Sequence, residues 1–85
     1  MTFEAWTHAL VAALRAKLDV RATRRGKTVV LRYGAAEIIV EDEPAHVVIR
    51  IGDRVAFTPE RTAETARVIA DSLAAHFDVG RFGRG

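Results

Sequence analysis

The side chains of this chain that could take part in acid–base or metal chemistry are its three histidines and its one serine. His8, His46 and His76 are too far apart in sequence for a metal-binding motif, and the chain has no cysteine. Ser72 lacks the flanking glycines of a nucleophile elbow. The best acid–base pair is Glu41 with His46, and a solvent-exposed contact between two strands explains it more simply. We therefore expect no catalytic residue, no metal and no cofactor, and predict that the protein is not an enzyme.

A second group with potential function is the basic run from Arg15 to Arg32, which holds seven cations and one anion. A basic hairpin of this kind can lie against a phosphate backbone. The acidic turn Glu41–Glu43 weakens this interpretation, because it is expected about 10 Å away, which is about one Debye length. Aromatic side chains for base stacking are also missing from the predicted surface. Nucleic-acid binding is therefore the alternative hypothesis, and its predicted residues are Arg21, Arg24, Arg25, Lys27 and Arg32.

The elements that must position these side chains follow from the spacing of the apolar residues. Helical spacing predicts a first helix from Phe3 to about Leu18 with Thr2 as its N-cap, and a second helix that starts at Thr58-Pro59-Glu60 and ends near Phe77. Between the helices the apolar period is two, which predicts strands. The predicted strands are Val20–Arg25, Thr28–Tyr33, Ala36–Glu41, His46–Ile51 and a short Val55–Phe57. The turns between the first four are Gly26-Lys27, Gly34-Ala35 and Asp42–Ala45.

Pairing the strands outward from these turns places their apolar residues on one face of an antiparallel sheet. Leu31 falls opposite Ile38, and Ile38 falls opposite Ile49. Val55 and Phe57 are expected to point inward with them. A slip of one residue would expose the whole apolar set, so the phase of the strands is strongly constrained. We predict an α+β fold, a two-layer sandwich in which the N- and C-terminal helices pack on one face of a meander sheet of four or five strands.

Length and composition indicate one small domain. We expect a single α+β domain over residues 1–80 and a flexible basic tail, Arg81–Gly85, with Gly80 as a stop for the second helix. No apolar run has the length of a membrane span, and the N-terminus lacks a cationic signal segment, so a cytoplasmic location is expected. The formal net charge of +2 is too small by itself to imply a polyanionic partner.

The other face of the sheet is predicted to be open to solvent. Its middle row places three β-branched apolar side chains next to one another, with two arginines flanking a glutamate beside them. A contiguous apolar row on a wet face is typical of a contact surface. We therefore predict a small non-enzymatic protein-interaction module, such as an adaptor, an inhibitor or a homodimerising domain, which binds a protein partner or a second copy through the open face or the edge strand Val20–Arg25. The predicted protein-binding residues are Val30, Ile39, Val48, Arg32, Arg50 and Glu37.

Overall fold

A computed structural model describes residues 1–82, with side chains through Phe77. The elements follow in the order α1 (Phe3–Arg15), β1 (Arg21–Arg25), β2 (Thr28–Tyr33), β3 (Ala36–Asp42), β4 (Val47–Ile51), β5 (Arg54–Phe57) and α2 (Ala63–Phe82). The strands form one antiparallel sheet in chain order, β1-β2-β3-β4-β5. The predicted α+β sandwich with a meander sheet is confirmed.

The predicted phase of β1 to β4 is also confirmed. Leu31, Ile38 and Ile49 are at most 1% exposed and belong to one core with the apolar sides of both helices. Helix α1 begins where predicted, since the Thr2 hydroxyl accepts a hydrogen bond from the Ala5 amide at 3.0 Å. Both helices therefore cover the same face of the sheet.

The first two hairpins have the predicted register. Gly26 and Gly34 each occupy the first central position of a two-residue turn, with φ of +58° and +61°. This backbone conformation costs glycine little and favours a primed hairpin turn. The turns set Arg25 opposite Thr28 and Leu31 opposite Ile38.

The third hairpin differs from the prediction by two residues. Ile38 lies opposite Ile51 rather than Ile49, and the loop follows Asp42, which pairs with Val47. A shift of two keeps every side chain on its own face, so the apolar pattern cannot distinguish the two registers. The position of the loop is decided by bonds beyond the hairpin: the Asp42 amide donates to the carbonyl of Lys27 at 2.9 Å, which extends β3 by one residue.

Strand β5 corrects the predicted orientation of Val55. Val55 lies opposite Arg50 on the open face and is 50% exposed, whereas Phe57 points inward and packs against the core as predicted. The register between β4 and β5 shifts between the pair Ile49–Phe57 and the pair Arg50–Val55. Phe57 and Val55 therefore point to opposite faces although they are two residues apart. A bulge adds one residue to one strand and so turns its later side chains to the opposite face.

Helix α2 starts later than predicted. The carbonyl of Pro59 accepts a hydrogen bond from the Val47 amide at 2.8 Å, which ties this segment to β4 instead of starting a helix. The cap is Thr62, whose hydroxyl accepts from the Thr65 amide at 3.1 Å, while the Thr65 hydroxyl accepts from the Thr62 amide at 3.2 Å. This reciprocal arrangement resembles a capping box with threonine in the place of glutamate.

The two threonines give a direct test of where α2 begins. We expect Thr62→Ala to lower the free energy of unfolding by about 1 kcal/mol, because it removes the N-cap acceptor. Thr58→Ala serves as the matched control and should change stability by less than about 0.5 kcal/mol. Urea denaturation monitored by circular dichroism measures both, and a larger loss in Thr58→Ala would contradict the assignment.

The end of α2 also differs from the prediction. The helix passes through Gly80, the predicted stop, and continues to Phe82. The rest of the predicted tail, residues 83–85, lies outside the described residues. Over residues 1–82, neither helix combines the length and apolar character that crossing a membrane requires.

Candidate functional site

The open face of the sheet carries an apolar row that crosses four strands. Val30 lies opposite Ile39, Ile39 lies opposite Arg50, and Arg50 lies opposite Val55. Val30 and Ile39 are half-buried and Val55 is exposed. We call Val30, Ile39 and Val55 the aliphatic row. It differs from the predicted row beyond Ile39, since Arg50 takes the place opposite Ile39 that Val48 was expected to hold, and Val55 follows on β5.

Arg50 interrupts the aliphatic row without placing a free charge in it. Its Nε donates to Oε1 of Glu41 at 2.7 Å, so the guanidinium is held to one side of the row. The methylene groups of a long basic side chain can cover apolar surface while the head stays in water. Since Arg50 lies between Ile39 and Val55 in the ladder, we expect its stem to continue the apolar surface between them.

The charged groups beside the row form two separate pairs. Arg32 Nε donates to Oε2 of Glu37 at 2.9 Å, as the sequence predicted. The prediction that Arg50 also flanks Glu37 is wrong, because the two-residue register shift places Arg50 opposite Ile39, and its side chain pairs with Glu41. Exposed pairs of this kind add about 0–1 kcal/mol to stability. Their main effect is that Arg32 and Arg50, the two arginines next to the aliphatic row, each already have a carboxylate partner.

Val48 lies on the open face as predicted but offers little contact area. It is 8% exposed and sits opposite Glu41, beside the pair that Glu41 forms with Arg50. The predicted contact between Glu41 and His46 is absent for the same reason, since Val48 occupies that position. In the part of the chain described, no three histidine, aspartate or glutamate side chains are grouped so that they could hold a metal ion.

The structure divides the predicted nucleic-acid residues between different surfaces. Arg24 lies opposite the inward-facing Val29 and reaches the helix layer, where its Nη2 donates to the hydroxyl of Thr7 at 2.6 Å. Its guanidinium carbon lies 5.9 Å from the centre of the Phe3 ring. The remaining members of the set are exposed on the open face or in the first turn: Arg21, Arg25, Lys27 and Arg32.

Arg61 is an important residue that the sequence did not reveal. Its guanidinium pairs with Asp42 at 3.0 Å and donates to the carbonyls of Glu43, Pro44 and His46 at 3.0, 3.2 and 3.3 Å. It thus partly neutralises the acidic turn that was expected to offset the basic hairpin. Its signal was hidden because the sequence placed Arg61 inside α2, where no contact with the third hairpin was expected.

Comparisons with protein families, curated proteins and solved structures found no match for this chain.

Proposed function

We propose that this protein is a non-enzymatic protein-interaction module that binds its partner through the open sheet face. The observation that carries the proposal is the aliphatic row, which spans β2 to β5 on the face that the helices leave uncovered. Contiguous apolar surface with a polar rim is the usual composition of a protein contact. The arginines at its edge supply the kind of side chain that is enriched at interfaces.

A second copy of this chain is the first partner to consider. The ion pairs Arg32–Glu37 and Arg50–Glu41 neutralise the charges beside the aliphatic row within one copy, so the rows of two copies can meet without leaving these four groups unpaired. Arg21, at the β1 edge of the face, has no ion pair among the described side chains. The area limits the affinity: five strands of about five residues cover about 400 Å², whereas a stable interface takes about 800 Å² from each partner. We therefore expect weak, concentration-dependent association of two copies, or a larger protein that reaches beyond the sheet.

The variant Ile39→Asp tests the open face. A carboxylate in the centre of the aliphatic row would have to be desolvated on binding, so we expect self-association to fall by tenfold or more, while the fold is kept because the side chain faces outward. The matched control is Val68→Asp, since Val68 is 52% exposed on α2, in the other layer. Size-exclusion chromatography with light scattering over a range of concentrations measures the mass, and circular dichroism measures the fold.

The measured masses distinguish self-association through the open face from nucleic-acid binding. A wild-type mass that rises with concentration above 9.3 kDa, and that Ile39→Asp but not Val68→Asp holds at the monomer value, supports the proposal. A wild-type chain that stays monomeric at millimolar concentration excludes the second copy as partner. A mass that rises only when mixed nucleic acid is added, and that falls with salt, favours the alternative of nucleic-acid binding.

A further inference from the structure

We propose that the groove between α1 and the edge strand β1 binds an extended acidic segment of a partner protein, which joins the sheet as an additional strand. The groove has a volume of about 290 Å³ and is lined by residues of α1, β1 and β2. It lies in the helix layer, whereas the aliphatic row lies on the opposite face of the sheet. The two sites are therefore distinct, and either can fail without the other.

Strand β1 provides the backbone template. It is the first strand in the sheet order, so one of its edges has no neighbouring strand. The two-residue turn after β1 makes Arg25 and Thr28 a hydrogen-bonded pair, and such pairs alternate along an antiparallel ladder. The N–H and C=O groups of Ala22 and Arg24 consequently point away from β2, where an added strand can pair with them.

Two anchored arginines flank the groove. Arg15 Nε donates to the carbonyl of Val20 at 3.2 Å, and Arg24 Nη2 donates to the hydroxyl of Thr7 at 2.6 Å. Each guanidinium has five N–H donors, so these bonds leave donors for a ligand. Among the side chains described, neither arginine has a carboxylate partner, in contrast to Arg32, Arg50 and Arg61. The groove therefore presents two pre-positioned cations that a carboxylate can bind.

The separation of the two anchors predicts the pattern of the ligand. Arg15 is held at the carbonyl of Val20, the residue directly before β1, and Arg24 follows four residues later, which is about 13 Å in an extended chain. In an added strand, two residues that are four positions apart face the same side at the same spacing. Between the arginines, the lining has an apolar part formed by Val11, Ala12, Ala22 and Val29, and a polar part formed by Thr7 and His8. The ligand is thus expected to be a five-residue pattern with acidic residues at positions 1 and 5 and a small aliphatic residue at position 3. These three side chains face the groove, and positions 2 and 4 can hold any residue.

Charge argues against a second copy at this edge. Three of the five residues of β1 are arginines. Antiparallel pairing of two β1 strands centred on Thr23 would place Arg21 opposite the Arg25 of the other copy. Like charges in directly opposite positions destabilise a ladder. The edge therefore disfavours self-pairing and selects an acidic partner.

The test uses a blocked peptide, Thr-Glu-Thr-Val-Thr-Glu-Thr, titrated into the full chain while backbone amide shifts are followed by NMR. We expect saturable binding with the largest shifts at Ala22 and Arg24. Arg15→Gln and Arg24→Gln should each weaken binding about tenfold, because each removes a charge-assisted hydrogen bond. Arg54→Gln, on the opposite edge strand, is the matched control and should bind as the wild type does.

Changes in the peptide test the same contacts without altering the protein. Replacing both glutamates of the peptide with glutamine should weaken binding by tenfold or more. Two N-methylated peptides, each modified at one alternate set of residues, should differ, because only one set donates to β1. The variant Ile39→Asp should bind the peptide normally, which separates this result from the open-face experiment.

Three results would overturn the proposal. The first is the absence of saturable binding at millimolar peptide. The second is equal binding of the glutamate and glutamine peptides, or of the two N-methylated peptides. The third is a single-stranded oligonucleotide that competes with the peptide and binds more tightly, which would make the groove a site for phosphate groups.

Discussion

Replacing Trp6 with alanine is expected to lower the free energy of unfolding by about 3–5 kcal/mol, the largest single effect in this chain. Trp6 is fully buried, and its Nε1 donates to the Thr65 hydroxyl at 3.0 Å, which links α1 to α2. Alanine would leave a cavity in the core that the surrounding side chains fill only in part. At the usual stability per residue, a chain of this size has about 4–13 kcal/mol in total. The variant should therefore be partly unfolded at 37 °C.

One further variant separates packing from hydrogen bonding at Trp6, and a second variant, at an exposed position, serves as the control. Trp6→Phe keeps most of the apolar volume but loses the N–H donor, so its loss should be smaller than that of Trp6→Ala. Val68→Ala, on the exposed side of α2, should change stability by less than about 0.5 kcal/mol. Urea denaturation followed by circular dichroism measures all three. A Trp6→Ala midpoint close to that of Val68→Ala would show that α1 does not pack as described.

Replacing Arg61 with alanine is expected to have the second largest effect and to lower the free energy of unfolding by about 1.5–3 kcal/mol. The guanidinium bonds to Asp42 and to three carbonyls of the loop between β3 and β4, and its side chain is only 23% exposed. Lysine should rescue the variant only in part, because a compact ammonium group lacks the planar fork that reaches several acceptors together. We expect faster amide hydrogen exchange at Glu43 and Val47, which lie at the two ends of this loop.

The matched control for Arg61 is Arg67→Ala. Arg67 is an exposed arginine on α2, and it forms no ion pair with any side chain described. Its loss should change stability by less than about 0.5 kcal/mol. Equal denaturation midpoints for the two alanine variants, together with unchanged exchange in the β3–β4 loop, would rule out the proposed role of Arg61.

The third hairpin shows the limit of prediction from the sequence. The alternation of apolar residues correctly predicted that Ile38 and Ile49 face the helices, and the two-residue turns correctly predicted the first two registers. The β3–β4 register was wrong by two residues, because moving the four-residue loop by one position along the chain shifts the pairing by two and leaves every side chain on its own face. Arg61 and the amide of Asp42 hold the loop in its observed position.

The candidate sites were predicted less completely than the fold. Val30, Ile39 and the Arg32–Glu37 pair lie on the open face as expected, because strand phase alone determines which side a residue faces. The membership of the aliphatic row was wrong at Val48 and Val55, since both depend on register and on a bulge. The sequence predicted the edge strand Val20–Arg25 as a possible binding edge but not the groove beside it, because the groove requires Arg15 and Arg24, nine positions apart in sequence, to line one surface.

The sequence by itself determined the two-layer sandwich, the side of the sheet that each residue of β1 to β4 faces and the cap of α1, because these depend on periods of 2 and 3.6 and on neighbouring residues. Only the tertiary structure decided the third register, the start of α2 and the partners of Arg24 and Arg61. Those features depend on bonds between segments distant in the chain, such as Val47 with Pro59 and Arg24 with Thr7. Local spacing carries no information about which distant group a long, flexible arginine side chain will reach.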